Sequence, residues 1–327
     1  MASTNYGDIT PRTAAYVAVD LLKRGLPFLV LEKFGQAKPI PNNKTKSVVF
    51  RRYESLPYTP KALAEGVTPA ATSLTKTDIT ANLTQYGDRV QISDVVADTH
   101  EDPVLREATD ILGEQAANMI ETVRFNVVKA GTNVFYANGS ARNAVTGNIT
   151  TALQRKVTRA LKRQNARKIT SVIRSTANYG TENVAPSFVA LVHPDMESDI
   201  RDMTGFTATE KYGTLSPWEN EIGKVEDCRY LTSTIFAPWA DAGGAVGTNI
   251  STAGTASDVD PVLYIARDSY GIVPLKGQSS LTPMVVNPKP SDSDPMAQRG
   301  HVSWKSMQTA VILNDLWMAR LEVAVKA

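Results

Sequence analysis

The sequence predicts an α+β fold on three observations. One helical stretch runs about twice the ordinary length, several segments alternate apolar and polar residues as strands do, and long breaker-rich connections separate them. The 327 residues suffice for one large or two ordinary domains, and a 42% hydrophobic, 21% charged composition is that of a folded soluble chain.

Residues 1–15 are polar and offer little to a core. Over 16–34, Val17, Leu21 and Leu22 keep helical spacing until Gly25-Leu26-Pro27 breaks it. "TKSVVFRRYE" (45–54) reads as a strand, and "DITANLTQYGDRVQISDVV" (78–96) contains a second, with Ile79, Ala81 and Leu83 facing one way. Between them, "SLPYTPKALAEGVTPAATS" carries Pro57, Pro60, Gly66 and Pro69 and few large apolar groups. A connection that long inside a compact domain tends to be functional. The unit reads as a long hairpin that projects from the body and packs on something else.

The long helix is predicted over 102–130. Asp102 can cap free amides and Pro103 suits the first helical position. Leu105, Ala108, Leu112, Ala116, Met119 and Val123 form one apolar stripe. Acids (Glu101, Asp102, Glu107) lie at the positive end of the dipole, Arg124 and Lys129 at the negative end, and Gly131 is a stop. About 28 residues at 1.5 Å each give a rod of roughly 42 Å. Gly113 sits mid-rod, where glycine costs up to about 1 kcal/mol relative to alanine. Either it permits close packing of another element, or it marks a bend.

"NVFYANGSARNAVTGN" then reads as a loop, and "TTALQRKVTRALKRQNARK" as a second helix with Leu153, Val157, Ala160 and Leu161 inward. "SFVALVHP" is a buried strand and "PDMESDIRDM" a short helix; "VEDCRYLTSTIF" and "PVLYIARDSYGIVPL" supply further strands. Residues 241–258 and 287–298 are small, polar and breaker-rich, and read as mobile surface loops. "DLWMARLEVAVKA" alternates with period two, which favours a terminal strand over a helix.

No catalytic, cofactor or metal site is expected. His100, His193 and His301 are far apart, and the acids after His193 open a helix after Pro194, where they serve its dipole. "GGAVG" (243–247) has no lysine behind it, and no catalytic motif is present. The lone cysteine, Cys228, cannot form an intramolecular disulfide and reads as a small buried residue of a strand. The start "MASTNYGDIT" lacks a signal-peptide pattern, and charges interrupt the apolar run after it, so the chain is expected to be made in the cytosol with no membrane partner. The net charge of +2 demands no nucleic-acid partner. The one basic feature is the second helix, where Arg155, Lys156, Arg159, Lys162, Arg163, Arg167 and Lys168 crowd eighteen residues. It could hold nucleic acid, form a solvated face, or meet acids of a neighbouring copy.

The order of elements resembles the major capsid proteins of tailed bacteriophages, which share the Hong Kong 97-like fold. At the level of words, "YGDITPRTAAYVAVDLLKRG", "LVLEKFGQAKPIPNN", "LAEGVTPAATSLTKTDITANLTQYGDRVQISDVVADTHEDPVLREATDILGEQAA", "RFNVVKAGTNVFYANG", "HPDMESDIRDMTGF" and "EIGKVEDCRYLTST" are similar to the capsid family typified by the Enquatrovirus phages. The resemblance implies an N-terminal arm over 1–37, an extended loop over 38–97 and a peripheral domain over 98–150 with a spine helix at 102–130. An axial domain over 151–300 follows, then a strand over 301–327 that returns to the peripheral domain. It implies a structural protein, not an enzyme, that self-assembles into pentamers and hexamers of an icosahedral head around double-stranded DNA. The implied partners are its own copies, a separate scaffolding protein, a portal, a decoration protein in some relatives, and packaged DNA held non-specifically. The implied location is the virion, assembled in the host bacterial cytoplasm. An encapsulin-like compartment shell is the alternative with the same fold. Subunit-interface roles are expected for Phe50, Arg51, Arg52 and Tyr53 in the first hairpin strand and for Asp88 and Arg89 in the second, unless these pair within the hairpin. Gly113 would be a bending point of the spine helix during shell expansion.

Overall fold

The computed structural model describes residues 29–41, 43–63, 65–95, 104–173, 181–213, 216–275, 281–286, 290 and 294–327. The expected helix of 16–28 and the Asp102-Pro103 start lie outside these. In chain order the strands are β1 (Gln36–Ala37), β2 (Ser47–Tyr53), β3 (Lys76–Asn82), β4 (Thr84–Ser93), β5 (Val134–Tyr136), β6 (Ile169–Ile173), β7 (Thr181–Val192), β8 (Phe206–Ala208), β9 (Glu221–Val225) and β10 (Cys228–Thr232). β11 (Asp260–Ile265), β12 (Tyr270–Pro274), β13 (Leu281–Val286), β14 (Arg299–Ile312) and β15 (Met318–Val323) complete the set. The helices are α1 (Val104–Lys129), α2 (Thr151–Arg163) and α3 (Glu197–Arg201).

Among the described residues the strands form three sheets. An eight-stranded sheet has the order β5-β15-β11-β7-β10-β9-β8, with β6 on β7; a five-stranded sheet has the order β1-β12-β14-β13, with β4 on β14; β2 and β3 form a hairpin. The mixed α+β class is as the sequence indicates. α2 begins where the Thr150 hydroxyl accepts the amide of Leu153, an N-cap. Its Val157 and Leu161 then bury against Phe188, Tyr230 and Tyr264 of the large sheet. On its buried face, Gln154 donates to the Val225 carbonyl and accepts the Tyr230 hydroxyl at 2.6 Å, so both ends of this amide are paired.

α1 spans 26 residues, a rod of about 39 Å. Of its predicted stripe, Ala108, Leu112 and Ala116 bury against Ile92 of β4 and Val302 and Trp304 of β14, with Met119 packed against them in part; Val123 is half-buried, and the side chain of Leu105 lies outside the described residues. The long strand β14 thus lies along the helix and ties β4, β12 and β13 to it.

Several boundaries depart from the sequence reading. Residues 29–37, expected as the end of an arm, are built into the body. Val30, Leu31 and Phe34 are core residues beside Phe125, Val128 and Tyr270, and β1 runs parallel to β12. The strand expected over 78–96 is two strands, because Leu83 turns inward between them and its amide binds Lys46. Only β3 pairs with β2; β4 leaves the hairpin for β14. The axial segment expected over 151–300 gives up β12 and β13 to the sheet beneath α1, since β11 and β12 enter different sheets across the Asp268 turn, φ +59°. Of the terminal stretch, β14 returns to α1, whereas β15 sits inside the large sheet. There its alternation conceals burial on both sides, Glu322 being fully buried against Arg142 and Arg320, both at 2.8 Å. The loop read over 133–148 contains β5, parallel to β15. Residues 241–258 are no loose loop: Asp258 accepts the amides of Asp241 and Thr252, and Ile250 binds Val325.

Candidate subunit interface

The hairpin is anchored at its root. Phe50 packs with Ile40, Ala81, Leu83, Val273 and Leu313, with the Lys38 ammonium 5.1 Å from its ring centre. A Cβ at Gly271 would come within 2.9 Å of that ring, so glycine makes room for it. Phe50 is therefore a core residue of its own chain. Arg51 lies opposite Asp78 and pairs with both its oxygens, at 2.7 and 3.1 Å, which holds that carboxyl below its usual range. Arg52 donates to the Leu313 carbonyl and to Glu54. Tyr53 is exposed, and with it the exposed surface begins.

Beyond the root every described residue from 53 to 76 is exposed. Tyr58 is 88% exposed, Leu63 73% and Leu74 68%, and Leu56 and Val67 are also in solvent. These five large apolar side chains have no core to enter on this segment. Asp88 and Arg89 lie elsewhere, on β4 opposite Trp304 and Ser303. Asp88 accepts from Gln115 of α1 at 2.6 Å and from the Arg89 amide at 2.7 Å, and these bonds hold its carboxyl below the ordinary range.

A second site was not foreseen as one. Glu121 of α1 is fully buried, and its Oε1 accepts the amides of Val30 at 3.1 Å and Leu31 at 2.8 Å. It caps, from another element, the 3-10 turn Leu31–Lys33, which has no side-chain cap of its own. Arg124, one turn on, pairs with Glu32 at 3.3 Å, and the Tyr270 hydroxyl donates to the Leu31 carbonyl. Burial pushes the Glu121 carboxyl up to about 7 against the pull of Arg124 and the two amides. A signal was present in the sequence: Glu121 falls between Ala117 and Phe125 at four-residue steps, inside a buried face. Gly113 is buried on α1 near Leu112 and Ala116.

Arg155 and Lys162 of α2 bind Glu226 at 2.5 Å and Asp227 at 2.6 Å, and Lys168, beyond the helix, binds Asp227 at 3.0 Å. Part of the basic face therefore meets acids of its own chain. Cys228 is fully buried, which pushes its thiol far up from the ordinary range. His193 accepts the Asp195 amide at the start of a turn, as a cap does. Among the described residues no group of three or more His, Cys, Asp or Glu could hold a metal ion, and no described helix is long and apolar enough to cross a membrane.

A family model described as "Phage capsid protein" matches residues 76–311. No curated protein matches the chain. Among solved structures, the capsid of Ralstonia phage GP4 superposes with a TM-score of 0.66 at 12% identity, over 90% of this chain and 87% of that one. The capsid asymmetric unit of cyanophage Pam1 gives 0.62 at 13% identity, over 100% and 95%. The head of Helicobacter pylori bacteriophage KHP40 gives 0.59 at 9% identity, over 89% and 87%.

Proposed function

Because the chain belongs to the phage capsid protein family, and has the Hong Kong 97-like fold of tailed-phage capsids, it is a structural virion component rather than an enzyme; we propose that it is the subunit that tiles the head as pentamers and hexamers. Self-association is the coarse property of a capsid protein. The finer roles are assigned here from residues.

The observation that carries the reading is the exposed apolar segment 53–76 on a hairpin anchored through Phe50. Full burial of a Leu or Val side chain contributes about 1.5–3 kcal/mol, and the Tyr ring is of that order when its hydroxyl finds a partner. Five such groups, Leu56, Tyr58, Leu63, Val67 and Leu74, would contribute on the order of 10 kcal/mol gross when laid on a sister copy. That offsets part of the ordering cost of a segment with no core of its own, the rest falling to the backbone and polar contacts such a docking makes. Residues 38–82 then act as the extended loop, Tyr53 opens its contact surface, and Arg51 and Arg52 stiffen its base rather than touching a neighbour. Asp88 and Arg89 serve the fit of β4 to α1. α1 with the five-stranded sheet forms the peripheral unit, the eight-stranded sheet with α2 and α3 the axial unit, and Gly113 the pivot of the spine. A scaffolding protein directs curvature, a portal occupies one vertex, and assembly takes place in the host cytoplasm around space later filled by double-stranded DNA.

The test is electron microscopy of the expressed protein, alone and with its scaffold, against a variant whose residues 56–74 are replaced by a Gly-Ser linker. Rings or shells are expected from the parent and none from the variant, while the variant keeps the parent's circular dichroism. Shells formed equally well by the linker variant refute the role of the loop; a parent that stays a monodisperse monomer with its scaffold present refutes the shell reading.

A further inference from the structure

The chain carries 35 Lys and Arg against 33 Asp and Glu, so as a whole it is nearly neutral. Its charge is nevertheless segregated. Residues 151–168 hold seven of the cations and no acid, which leaves 28 cations against 33 acids, net −5, in the rest. The in-chain partners Glu226 and Asp227 neutralise only part of this face. Arg159 and Arg163 point into solvent beside Arg155 and Lys162, along an open groove.

The acids have a place too. β7 and β10 run parallel, Phe188 opposite Cys228 and Val192 opposite Thr232. The turn at Glu226 and Asp227, against which α2 lies, is thus at one end of this pair. The stretch that follows β7, with Asp195, Glu197 and Asp199, is at the other. Both ends share one face of the sheet, since Val157 and Leu161 of α2 and Met196 and Ile200 belong to a single core cluster. The side chains of Asp195 and Glu197 are 46% and 43% exposed; Asp195 lies 3.0 Å from His193 and Glu197 pairs with Arg201 at 2.6 Å, so this end too is neutralised only in part. Asp258 and Asp260 lie close by, and the buried Asp260 carboxyl is pushed up to about 7, by desolvation first and then by Asp195 and Asp258.

Resting on the shell reading above, we propose that the basic face of α2, centred on Arg159 and Arg163, docks against the acidic Asp195–Glu197 end of the same sheet in a second copy. The symmetry follows from the charges. Each patch repels its own image, so a two-fold contact of like with like is disfavoured, and basic-to-acidic contact is heterologous, the kind that closes into a ring. A basic helix is also the footprint of a nucleic-acid site, so duplex DNA is the rival occupant that the experiment below separates. Near neutrality with separated charge fits a subunit whose partner is itself.

The experiment is a charge exchange in the full chain: R159E/R163E, D195K/E197K, and the combination of all four, each checked for folding by circular dichroism and for rings and shells by sedimentation and electron microscopy. Each double variant is expected to fold and to lose rings, and the fourfold variant to regain them, because basic and acidic ends have only been interchanged. Double variants that form rings as the parent does, or a folded fourfold variant that does not regain them, overturn the proposal. So does binding of short duplex DNA by the parent that weakens steeply between 50 and 200 mM salt and is lost in R159E/R163E while rings persist, since nucleic acid is then the occupant. A parent that forms no rings tells against the shell reading itself, which separates the two failures.

Discussion

Glu121→Gln tests the joint between the spine helix and the segment that enters the body at Leu29. The wild-type carboxyl is fully buried, and burial raises it to about 7, against about 4.3 in an unfolded chain. The folded state therefore holds a proton between about pH 4.3 and 7 that the unfolded state has released. Where the native state binds more protons, stability falls as pH rises. Its contribution is flat below about pH 4, declines through the window and is flat again above about pH 8. At about 1.4 kcal/mol per factor of ten in proton affinity, the decline amounts to about 3–4 kcal/mol.

Glutamine has no proton to lose, and its carbonyl can still accept the amides of Val30 and Leu31. The unassembled E121Q subunit should match the wild type near pH 5 and exceed it near pH 8 by up to about 3 kcal/mol. With an unfolding entropy of about 2.1 cal/mol/K per residue, that is about 4 °C in the melting midpoint of a chain this size. Calorimetry of both proteins from pH 4.5 to 8.5 checks it; Asp260, which titrates in the same window, cancels in the difference. E121A should lie below E121Q at every pH, because two buried amides lose their acceptor at about 1–3 kcal/mol each. A difference between E121Q and wild type that does not change with pH refutes the argument, for it would mean that this carboxylate is not desolvated in the fold.

Leu112→Ala should cost about 2–5 kcal/mol of subunit stability by denaturant unfolding, since Leu112 is only 2% exposed between α1 and β14. A loss below about 1 kcal/mol would show that the helix and sheet do not pack there. Gly113→Ala should leave assembly intact and slow shell expansion, followed by sedimentation and microscopy; unchanged assembly and expansion would remove its role as a pivot.

Regular periodicity was legible, and its exceptions carry the joint. The stripe of α1 could be read because Ala108, Leu112 and Ala116 repeat at helical spacing, a local property. The inward set of α2 could be read for the same reason. Which strand pairs with which could not, because β4 and β3 share one continuous polar–apolar pattern and only Leu83, turned inward, divides them. Residues 29–37 look like the tail of an arm until Glu121, 90 residues away, supplies the acceptor their amides need. Arg51 and Arg52 look like contact residues until Asp78 and the Leu313 carbonyl take them up. Charged residues in a sequence announce that a partner exists but not which one, and in this chain nearby acids satisfied the candidates on the hairpin base. The exposed apolar groups between Tyr53 and Lys76 differ in kind, because burial is the one demand the chain's own surface leaves unmet there. A chain that carries Tyr58, Leu63 and Leu74 in water while Glu121 caps its buried amides is, on the reading proposed above, a part whose missing surface other copies supply.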